Sequence, residues 1–172
     1  MDIRDFEFKL CTPKDLDRIL EIQEDTLKHL EAPELLRKNT PEMLLECLQA
    51  PNVTVGAWYQ GRLVAFSVLY FPQEEAECLA IALDGVDVAG LRSVNYKLCI
   101  VDRAFRGHSL QYELGKRLLQ YAREADADII CATASPDNAY SIANIERLGF
   151  VLNKSLEKYG FSRNLYYQLL NR

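Results

Sequence analysis

The residues best suited to chemistry lie in one stretch, RAFRGHSLQYELGKRLL, at positions 103–119. An apolar run precedes this stretch, and apolar residues at helical spacing follow. The first N–H groups of a helix are unpaired and carry part of a positive charge, so phosphates bind there readily. Arg106 adds a permanent cation, and Gly107 lets the backbone curl towards a ligand without a Cβ in the way. The stretch therefore predicts an anion site.

The spacing of glycines and cysteines excludes several common sites. A P-loop needs Gly-x-x-x-x-Gly-Lys followed by Ser or Thr, and a dinucleotide loop needs Gly-x-Gly-x-x-Gly; neither occurs in the sequence. The five cysteines, at positions 11, 47, 78, 99 and 131, are far apart and odd in number. They fit buried free thiols better than disulfides or zinc ligands, and no metal site is expected.

The elements that must position the stretch follow from the hydrophobic pattern. SVNYKLCIV, residues 93–101, predicts a strand that ends just before it. Apolar residues at helical spacing then form one buried stripe from Leu110 to Ala122. DIICATA, residues 128–134, is a continuous apolar run typical of a central strand. A strand, a helix and a second strand in this order predict a parallel crossover.

Alternation and capping signals predict the remaining elements. An alternating strand at residues 6–10 precedes two helices, the second beginning at Pro41. A hairpin turn at Gln60-Gly61 joins two strands, and residues 135–138 cap a last helix before two more strands. The order β-α-α-β-β-β-α-β-α-β-β predicts an α/β (mixed α+β) fold. It has one twisted mixed sheet of about six to seven strands, flanked by about four helices.

Length, hydropathy and charge limit the class of protein. The 172 residues, 49% hydrophobic and 26% charged, predict one domain over residues 1–172. No apolar run approaches the roughly 18 to 20 residues that cross a bilayer, and no signal segment is visible, so a cytoplasmic protein without membrane association is expected. The net charge of −5 comes from residues 1–50, which hold 12 acidic and 7 basic side chains. With no basic surplus overall, we expect no nucleic-acid partner.

Two stretches together resemble a known family. VDRAFRGHSLQYELGKRLL followed by SPDNAYSIANIERLGF is similar to the GNAT-type N-acetyltransferases, which bind acetyl-CoA. In that family, Arg-x-x-Gly-x-Gly or Ala wraps the pyrophosphate at a helix start, a later Asn contacts the pantetheine arm, and Gly-Phe closes the following helix. The matching residues are Val101, Arg106, Asn138, Gly149 and Phe150. The predicted order of elements agrees with the family's fold, so the resemblance covers nearly the whole chain.

The loop departs from the family pattern at two positions. Ser109 replaces the first motif glycine, and Gln111 replaces the second small residue. Leu110-Gln111 suggests the branch of the family with an Arg-Gly-x-x-Leu-Gln loop. With Ser109 in ordinary helical backbone, its N–H would point at phosphate. Its hydroxyl either adds a donor or marks a weakened CoA site.

The resemblance implies acetyl-CoA or coenzyme A as co-substrate and a set of residues that bind it. The end of the 93–101 strand would pair its backbone with the pantetheine amides, and an N–H there would polarise the thioester carbonyl. Cys99 is then a strand residue beside the ligand rather than a nucleophile, because no His is paired with it in sequence. The implied cofactor-binding residues are Cys99, Ile100, Val101, Arg106, Gly107, His108, Ser109, Leu110, Gln111, Asn138 and Ser141.

The resemblance leaves the catalytic acid and base open. Many family members protonate the leaving thiolate from a tyrosine five residues before the Phe of Gly-Phe, and that position here is Ile145. Tyr140 is the candidate catalytic residue, against the alternative that its ring packs under the helix start. One of Tyr166 and Tyr167 faces the sheet interior and is a second candidate. For the base, the first helix offers carboxylates that could equally be simply solvated: Glu21, Glu24 and Asp25.

The predicted function is transfer of the acetyl group of acetyl-CoA to an amine of an unidentified small molecule or peptide. The acidic first third of the chain favours a cationic acceptor. The alternative is an acyl-CoA-binding sensor or regulatory domain without transferase activity, motivated by Ser109 and Ile145. An interaction domain without CoA would require the whole motif to be accidental. The sequence leaves a homodimer open.

Overall fold

The computed structural model describes residues 1–158 and 160–170, and within them the predicted mixed α/β fold is confirmed. The strands are β1 (Phe6–Leu10), β2 (Val53–Tyr59), β3 (Arg62–Tyr70), β4 (Ser93–Val101), β5 (Ile129–Ala134), β6 (Val151–Lys158) and β7 (Phe161–Leu169). The helices are α1 (Leu16–Lys28), α2 (Pro41–Cys47), α3 (Leu110–Glu124) and α4 (Ala139–Arg147). Across these described ranges, no helix is long and apolar enough to span a bilayer.

The seven strands form one sheet in the order β1-β2-β3-β4-β5-β7-β6. Strands β4 and β5, which flank α3 in the chain, run parallel, with Ser93 opposite Ile129. All the other neighbouring strands of this sheet run antiparallel. The predicted crossover between parallel strands is therefore confirmed, and it places α3 directly after the end of β4.

Helices cover both faces of the sheet around β3 and β4. Helix α3 packs on one face through Leu110, Leu114 and Leu118, each no more than 2% exposed. Helices α1 and α2 pack on the other face, where Ile22 and Leu44 are equally buried. Each such side chain contributes roughly 1.5–3 kcal/mol to folding. This packing holds the C-terminal end of α1 and the start of α3 beside the end of β4.

The turns follow from the local sequence. Gln60 and Gly61 both have positive φ angles, 49° and 79°, as a two-residue hairpin with the right-handed strand twist requires. The segment between β3 and β4 forms two short 3₁₀ turns, Glu75–Glu77 and Leu79–Ala82. The turn Leu79–Ala82 packs against β5 and β7. Glu77, in the turn just before it, lines a cavity described below.

Candidate functional site

Strands β4 and β5 separate part-way along β4. Their pairing ends at Tyr96, opposite Ala132, although β4 continues to Val101. On its other side, β4 stays paired with β3 as far as Val101. The edge of β4 that faces β5 therefore lacks a strand partner beyond Tyr96, and its peptide groups can bind a ligand.

Three cavities adjoin at this separation. The loop cavity, about 390 Å³, lies between the end of β4 and the starts of α3 and α4. The gap cavity, about 90 Å³, lies between β4 and β5, and the Lys97 cavity, about 400 Å³, lies beyond it. Cys99 and Gln111 line both the loop and gap cavities, whereas Lys97 and Thr133 line both the gap and Lys97 cavities. The cavities thus follow one another from the α3 loop, through the strand gap, to Lys97.

The loop from Asp102 to Ser109 is shaped to hold an anion. Asp102 Oδ1 accepts a hydrogen bond from Ala104 N at 3.0 Å and fixes the turn that precedes Arg106. Gly107 has a φ of +85°, and the space where a Cβ would lie is open. The first helical hydrogen bond runs from Glu113 N to Ser109 O at 3.0 Å. The N–H groups of the three residues before Glu113 consequently have no acceptor within the helix.

Arg106 is exposed and lines the loop cavity. Over residues 1–158 and 160–170, no ion pair joins its guanidinium to a carboxylate. Arg103, three residues earlier, is instead paired with Asp25 at 3.0 Å. The charge of Arg106 is therefore available to an anionic ligand, next to the start of α3.

The start of α4 faces the same cavity. Asn138 Oδ1 accepts a hydrogen bond from Ser141 N at 3.1 Å and so caps the helix, as its sequence predicts. The NH₂ group of Asn138 is left to donate to a ligand. Asn138, Tyr140 and Ser141 all line the loop cavity.

Two residues that line the loop cavity, Thr26 and Gln111, each have a buried polar atom without a partner among the described residues, Thr26 Oγ1 and Gln111 Oε1. These two atoms are covered by the protein and do not face the cavity. Arg106, the free N–H groups at the start of α3 and the unpaired peptide groups of β4 fit a ligand that carries phosphate at one end and amides along its length. Coenzyme A has this chemistry.

Nine of the twelve predicted site residues come together in the loop cavity. They are Cys99, Ile100, Val101, Arg106, Gly107, Gln111, Asn138, Tyr140 and Ser141. The side chains of two others point elsewhere. The His108 ring lies 6.1 Å from the Phe6 ring, and Leu110 is 2% exposed in the core. Leu110 can therefore offer a ligand only its backbone groups.

Ser109 does not meet the condition under which its N–H would point at phosphate. That condition is ordinary helical backbone, whereas Ser109 has φ 60° and ψ 23°, in the left-handed region. Glycine adopts this conformation freely, whereas a residue with a Cβ is strained by roughly 1–2 kcal/mol. The conformation explains why the resembling family carries glycine here. The Ser109 side chain is exposed and stands outside the lining of the loop cavity.

The tyrosines considered as acids differ in their surroundings. Tyr140 is 60% exposed, so the alternative that its ring packs under the helix start is wrong. It lines the loop cavity but stands outside the gap cavity lining. Tyr166 is 1% exposed within the α3-side core, and Tyr167 packs beside Leu165. The geometry thus does not support Tyr166 or Tyr167 as the catalytic acid.

The carboxylates considered as bases are engaged in surface ion pairs. Glu21 pairs with Arg18 at 3.2 Å, and Glu24 pairs with Lys28 at 3.5 Å. The hydrogen bond from Arg103 lowers the pKa of Asp25, which makes it a weaker base. All three stand outside the linings of the three cavities. In the part of the chain that the structure describes, no group of three or more His, Cys, Asp or Glu side chains could hold a metal ion.

Tyr96 was missed by sequence reasoning. It lines the gap cavity together with Ile145, and its hydroxyl lies near Ser67 and Cys99 without a well-formed hydrogen bond to any described residue. Burial raises the pKa of Tyr96 well above its ordinary value, so the phenol is protonated at neutral pH. Nothing in the pattern of strand 93–101 distinguishes Tyr96 from a core aromatic residue.

Cys99 has the environment of a structural thiol. Burial raises its pKa to about 11, although Tyr96 and Ser67 nearby act in the other direction. At neutral pH only about one molecule in 10,000 would carry the thiolate that a nucleophile needs. This agrees with the interpretation of Cys99 as a strand residue beside the ligand.

Arg163 and Leu36 were also missed, although both line the gap and Lys97 cavities. Arg163 Nη1 donates to Glu34 O at 3.0 Å and holds the 3₁₀ turn Pro33–Leu35 against β7. Arg163 and Glu34 are separated by 129 positions in the chain, so no local sequence signal could have paired them.

Comparisons with known proteins give one matching family model and several similar solved structures. The sequence model described as "Acetyltransferase (GNAT) family" matches residues 16–150. No curated protein matches the sequence. Among solved structures, yncA from Salmonella typhimurium, solved with its cofactor acetyl-CoA, has a TM-score of 0.73 at 19% identity, over 97% of this chain and 95% of that one.

Two further solved structures are similar over nearly their whole length. An N-acetyltransferase from Staphylococcus aureus Mu50 has a TM-score of 0.74 at 16% identity, covering 96% of this chain and 99% of that one. A ribosomal-protein-alanine N-acetyltransferase from Brucella melitensis has a TM-score of 0.73 at 20% identity, covering 95% and 99%. At these identities the likeness establishes the fold alone.

Proposed function

Because the chain belongs to the acetyltransferase (GNAT) family, we propose that it transfers the acetyl group of acetyl-CoA to an amine of a small molecule or peptide. The observation that carries the proposal is the loop cavity, which joins an anion site at Arg106 to the unpaired edge of β4. The gap cavity adjoins the Lys97 cavity, which supports an acceptor that enters from the side opposite the co-substrate. The assignment of the loop to the Arg-Gly-x-x-Leu-Gln branch is part of the proposal.

The loop cavity would hold the co-substrate along its length. Arg106 and the free N–H groups at the start of α3 would bind the pyrophosphate, as charge-assisted hydrogen bonds at a helix N-terminus do. The Asn138 NH₂ group would bind an amide of the pantetheine arm. The peptide groups of β4 beyond Tyr96 would pair with the same arm.

Acetyl-CoA supplies a thioester whose C–S bond breaks as a C–N bond to the acceptor amine forms. An unpaired N–H on the β4 edge would stabilise the negative charge that develops on the carbonyl oxygen. The amine must arrive neutral, so its proton must pass to water in the Lys97 cavity or to a base. The leaving sulfur needs a proton in return.

We assign the role of proton donor to Tyr96. Of the described residues, it is the one tyrosine that lines the gap cavity, and Ile145 occupies the place of the tyrosine that many relatives use. Burial keeps the phenol of Tyr96 protonated, as a general acid must be. Tyr140, the candidate from sequence, lines the loop cavity but not the gap cavity and is better placed to contact CoA.

The alternative is a domain that binds acyl-CoA without transferring the acyl group. Two observations favour it: the strained Ser109 in the loop and the aliphatic Ile145 at the gap. A thermal-unfolding assay with acetyl-CoA, combined with thiol release on a panel of amines, separates the two functions. A higher Tm with amine-dependent thiol release supports the transferase, a higher Tm alone supports the sensor, and an unchanged Tm contradicts both.

Three further properties are proposed from the sequence. They are a cytoplasmic location, the absence of a nucleic-acid or membrane partner, and the capacity for a homodimer. They are independent of the cavity geometry, and the acetyl-transfer proposal does not rest on them.

A further inference from the structure

Lys97 occupies a position that directs it into the acceptor side of the gap. In the pairing of β4 with β3, Val68 lies opposite Leu98 and Leu69 lies opposite Tyr96, so Lys97 is the extra residue of a β-bulge. The bulge comes directly after Tyr96, where β4 and β5 part. Bulges commonly re-aim a side chain, and Lys97 accordingly lines both the gap cavity and the Lys97 cavity.

The charge of Lys97 is not neutralised by an ion pair within residues 1–158 and 160–170. Its Nζ lies 4.7 Å from the centroid of the Tyr70 ring, a cation–π contact that holds the side chain while leaving the ammonium protons for a ligand. Tyr70 itself is tied by its hydroxyl to Glu77 and Glu46. The ammonium of Lys97 is therefore held in place with its charge available.

Two cationic side chains lie beside the gap. Among the described residues, Lys97 and Arg163 line both the gap cavity and the Lys97 cavity, and no carboxylate lines the gap cavity. Glu46 and Glu77 belong to the lining of the Lys97 cavity. The point where the acceptor amine would meet the thioester therefore has cationic groups beside it, and the described carboxylates lie in the lining of the Lys97 cavity alone.

We propose that the acceptor is an α-amino acid, whose carboxylate is bound by Lys97 and Arg163 while its α-amine enters the gap. This inference rests on the proposed acetyl transfer. In an α-amino acid a single carbon separates the amine from the carboxylate, so a cationic group beside the gap contacts the carboxylate when the nitrogen is at the gap. Lys97 and Arg163, which line both cavities, meet this requirement from β4 and β7.

The same two cations would assist the chemistry. A nearby positive charge disfavours the ammonium form of the acceptor, which lowers its pKa and raises the fraction of neutral, attacking amine. This effect compensates for the lack of a carboxylate base in the described lining of the gap. The zwitterionic acceptor proposed here replaces the simply cationic one that the acidic first third of the chain favoured.

Calorimetric titration of the protein saturated with CoA tests the inference directly. The probes are two matched pairs: L-methionine with 3-(methylthio)propylamine, and L-arginine with agmatine. In each pair the second compound lacks only the carboxylate. In at least one pair, the amino acid should bind at least about ten-fold more tightly than its decarboxylated partner. The partner lacks the carboxylate and therefore loses a hydrogen-bonded ion pair.

Substitution of Lys97 assigns the preference to a residue. Lys97→Met should weaken amino-acid binding at least about ten-fold without weakening the binding of the decarboxylated partner. Lys97→Arg, which keeps the charge, should restore part of the preference. Lys14→Met, which removes an exposed lysine of the 3₁₀ turn Pro13–Asp15, is the matched control and should change neither affinity. Equal CoA affinity in all variants shows that the fold is intact.

The outcomes separate this inference from the acetyl transfer on which it rests. Equal affinities within both pairs, no binding of either amino acid, or an unchanged preference in Lys97→Met would overturn it. Thiol release from acetyl-CoA with decarboxylated amines as efficient as with amino acids would leave acetyl transfer standing and overturn the carboxylate site. Selective, Lys97-dependent binding of the amino acid without thiol release would support the carboxylate site and contradict the transferase.

Discussion

At the scale of single residues, Arg106 is the side chain on which co-substrate binding should depend most in the proposed function. It lines the loop cavity without an ion pair among the described residues, beside the free N–H groups at the start of α3. Arg106→Ala should weaken CoA binding by about ten- to hundred-fold, because one charge-assisted contact to phosphate contributes about 1.5–3 kcal/mol. Calorimetric titration with CoA measures the change.

The matched control is Arg103→Ala. Arg103 lies in the same loop, but its guanidinium is paired with Asp25, and it stands outside the loop cavity lining. Its removal should leave CoA affinity within about two-fold, since a surface ion pair contributes little. Unchanged affinity in Arg106→Ala, or an equal loss in both variants, would refute the placement of the pyrophosphate.

Tyr96 carries the residue-scale prediction for catalysis. Tyr96→Phe removes the buried hydroxyl of a residue that lines the gap cavity and should lower kcat by about a hundred-fold or more, the usual contribution of a general acid. The KM for acetyl-CoA should be nearly unchanged, because the ring remains. Thiol release at saturating co-substrate measures the effect.

Tyr166→Phe is the control for a buried tyrosine. Its hydroxyl accepts a hydrogen bond from Asn164 Nδ2 at 3.3 Å within the core, away from the gap cavity. This variant should keep kcat while losing some stability. If Tyr166→Phe lowers kcat and Tyr96→Phe does not, the assignment of the acid is wrong.

At the scale of elements, the start of α3 combines function with backbone strain. Ser109 holds a left-handed conformation, φ 60°, that glycine would adopt more easily. Ser109→Gly should raise the free energy of unfolding by about 0.5–1 kcal/mol, once the added freedom of the unfolded chain is subtracted. Because the Ser109 side chain lies outside the loop cavity lining, CoA affinity should not fall.

Gln60→Gly provides the comparison for that change. Gln60 also has a positive φ, 49°, but lies in the β2–β3 hairpin far along the chain from the loop. The Gln60→Gly variant should gain a similar free energy of unfolding, measured by chemical denaturation, and its CoA affinity should be unchanged. A clear loss of CoA affinity in Ser109→Gly alone would mean that the hydroxyl donates to the ligand after all.

The elements themselves were predictable from sequence because their signals are local. Alternating apolar residues marked β1, the Leu110–Ala122 stripe marked α3, and Asn138 marked the start of α4. The loop could also be found, since Arg106 and Gly107 follow a strand and precede a helix. The left-handed backbone of Ser109 could not, because serine by itself favours ordinary backbone regions.

The acceptor side of the site could not be predicted because it depends on long-range geometry. The separation of β4 from β5 beyond Tyr96, and the bulge at Lys97, arise from how three strands pair. Arg163 reaches the same cavity from the far end of the chain. Each of these residues is unremarkable in its own segment, and its role emerges only when the sheet is assembled.

At the scale of the whole molecule, the sheet places two binding regions on either side of one gap. The loop cavity and the Lys97 cavity both adjoin the gap cavity, and Cys99 at the gap is a poor nucleophile because burial raises its pKa to about 11. For the proposed acetyl transfer, this arrangement favours direct transfer between two bound substrates over a covalent acetyl-enzyme. Under that proposal, both substrates must be present together before CoA is released.

Initial rates of CoA thiol release, measured while acetyl-CoA and the acceptor amine are varied together, distinguish direct transfer from a covalent acetyl-enzyme. Direct transfer predicts double-reciprocal lines that intersect, with one acetylated amine formed for each CoA released. Parallel lines would indicate a covalent acetyl-enzyme and contradict the direct mechanism. Thiol release that does not depend on the amine would contradict the claim that this protein is an N-acetyltransferase.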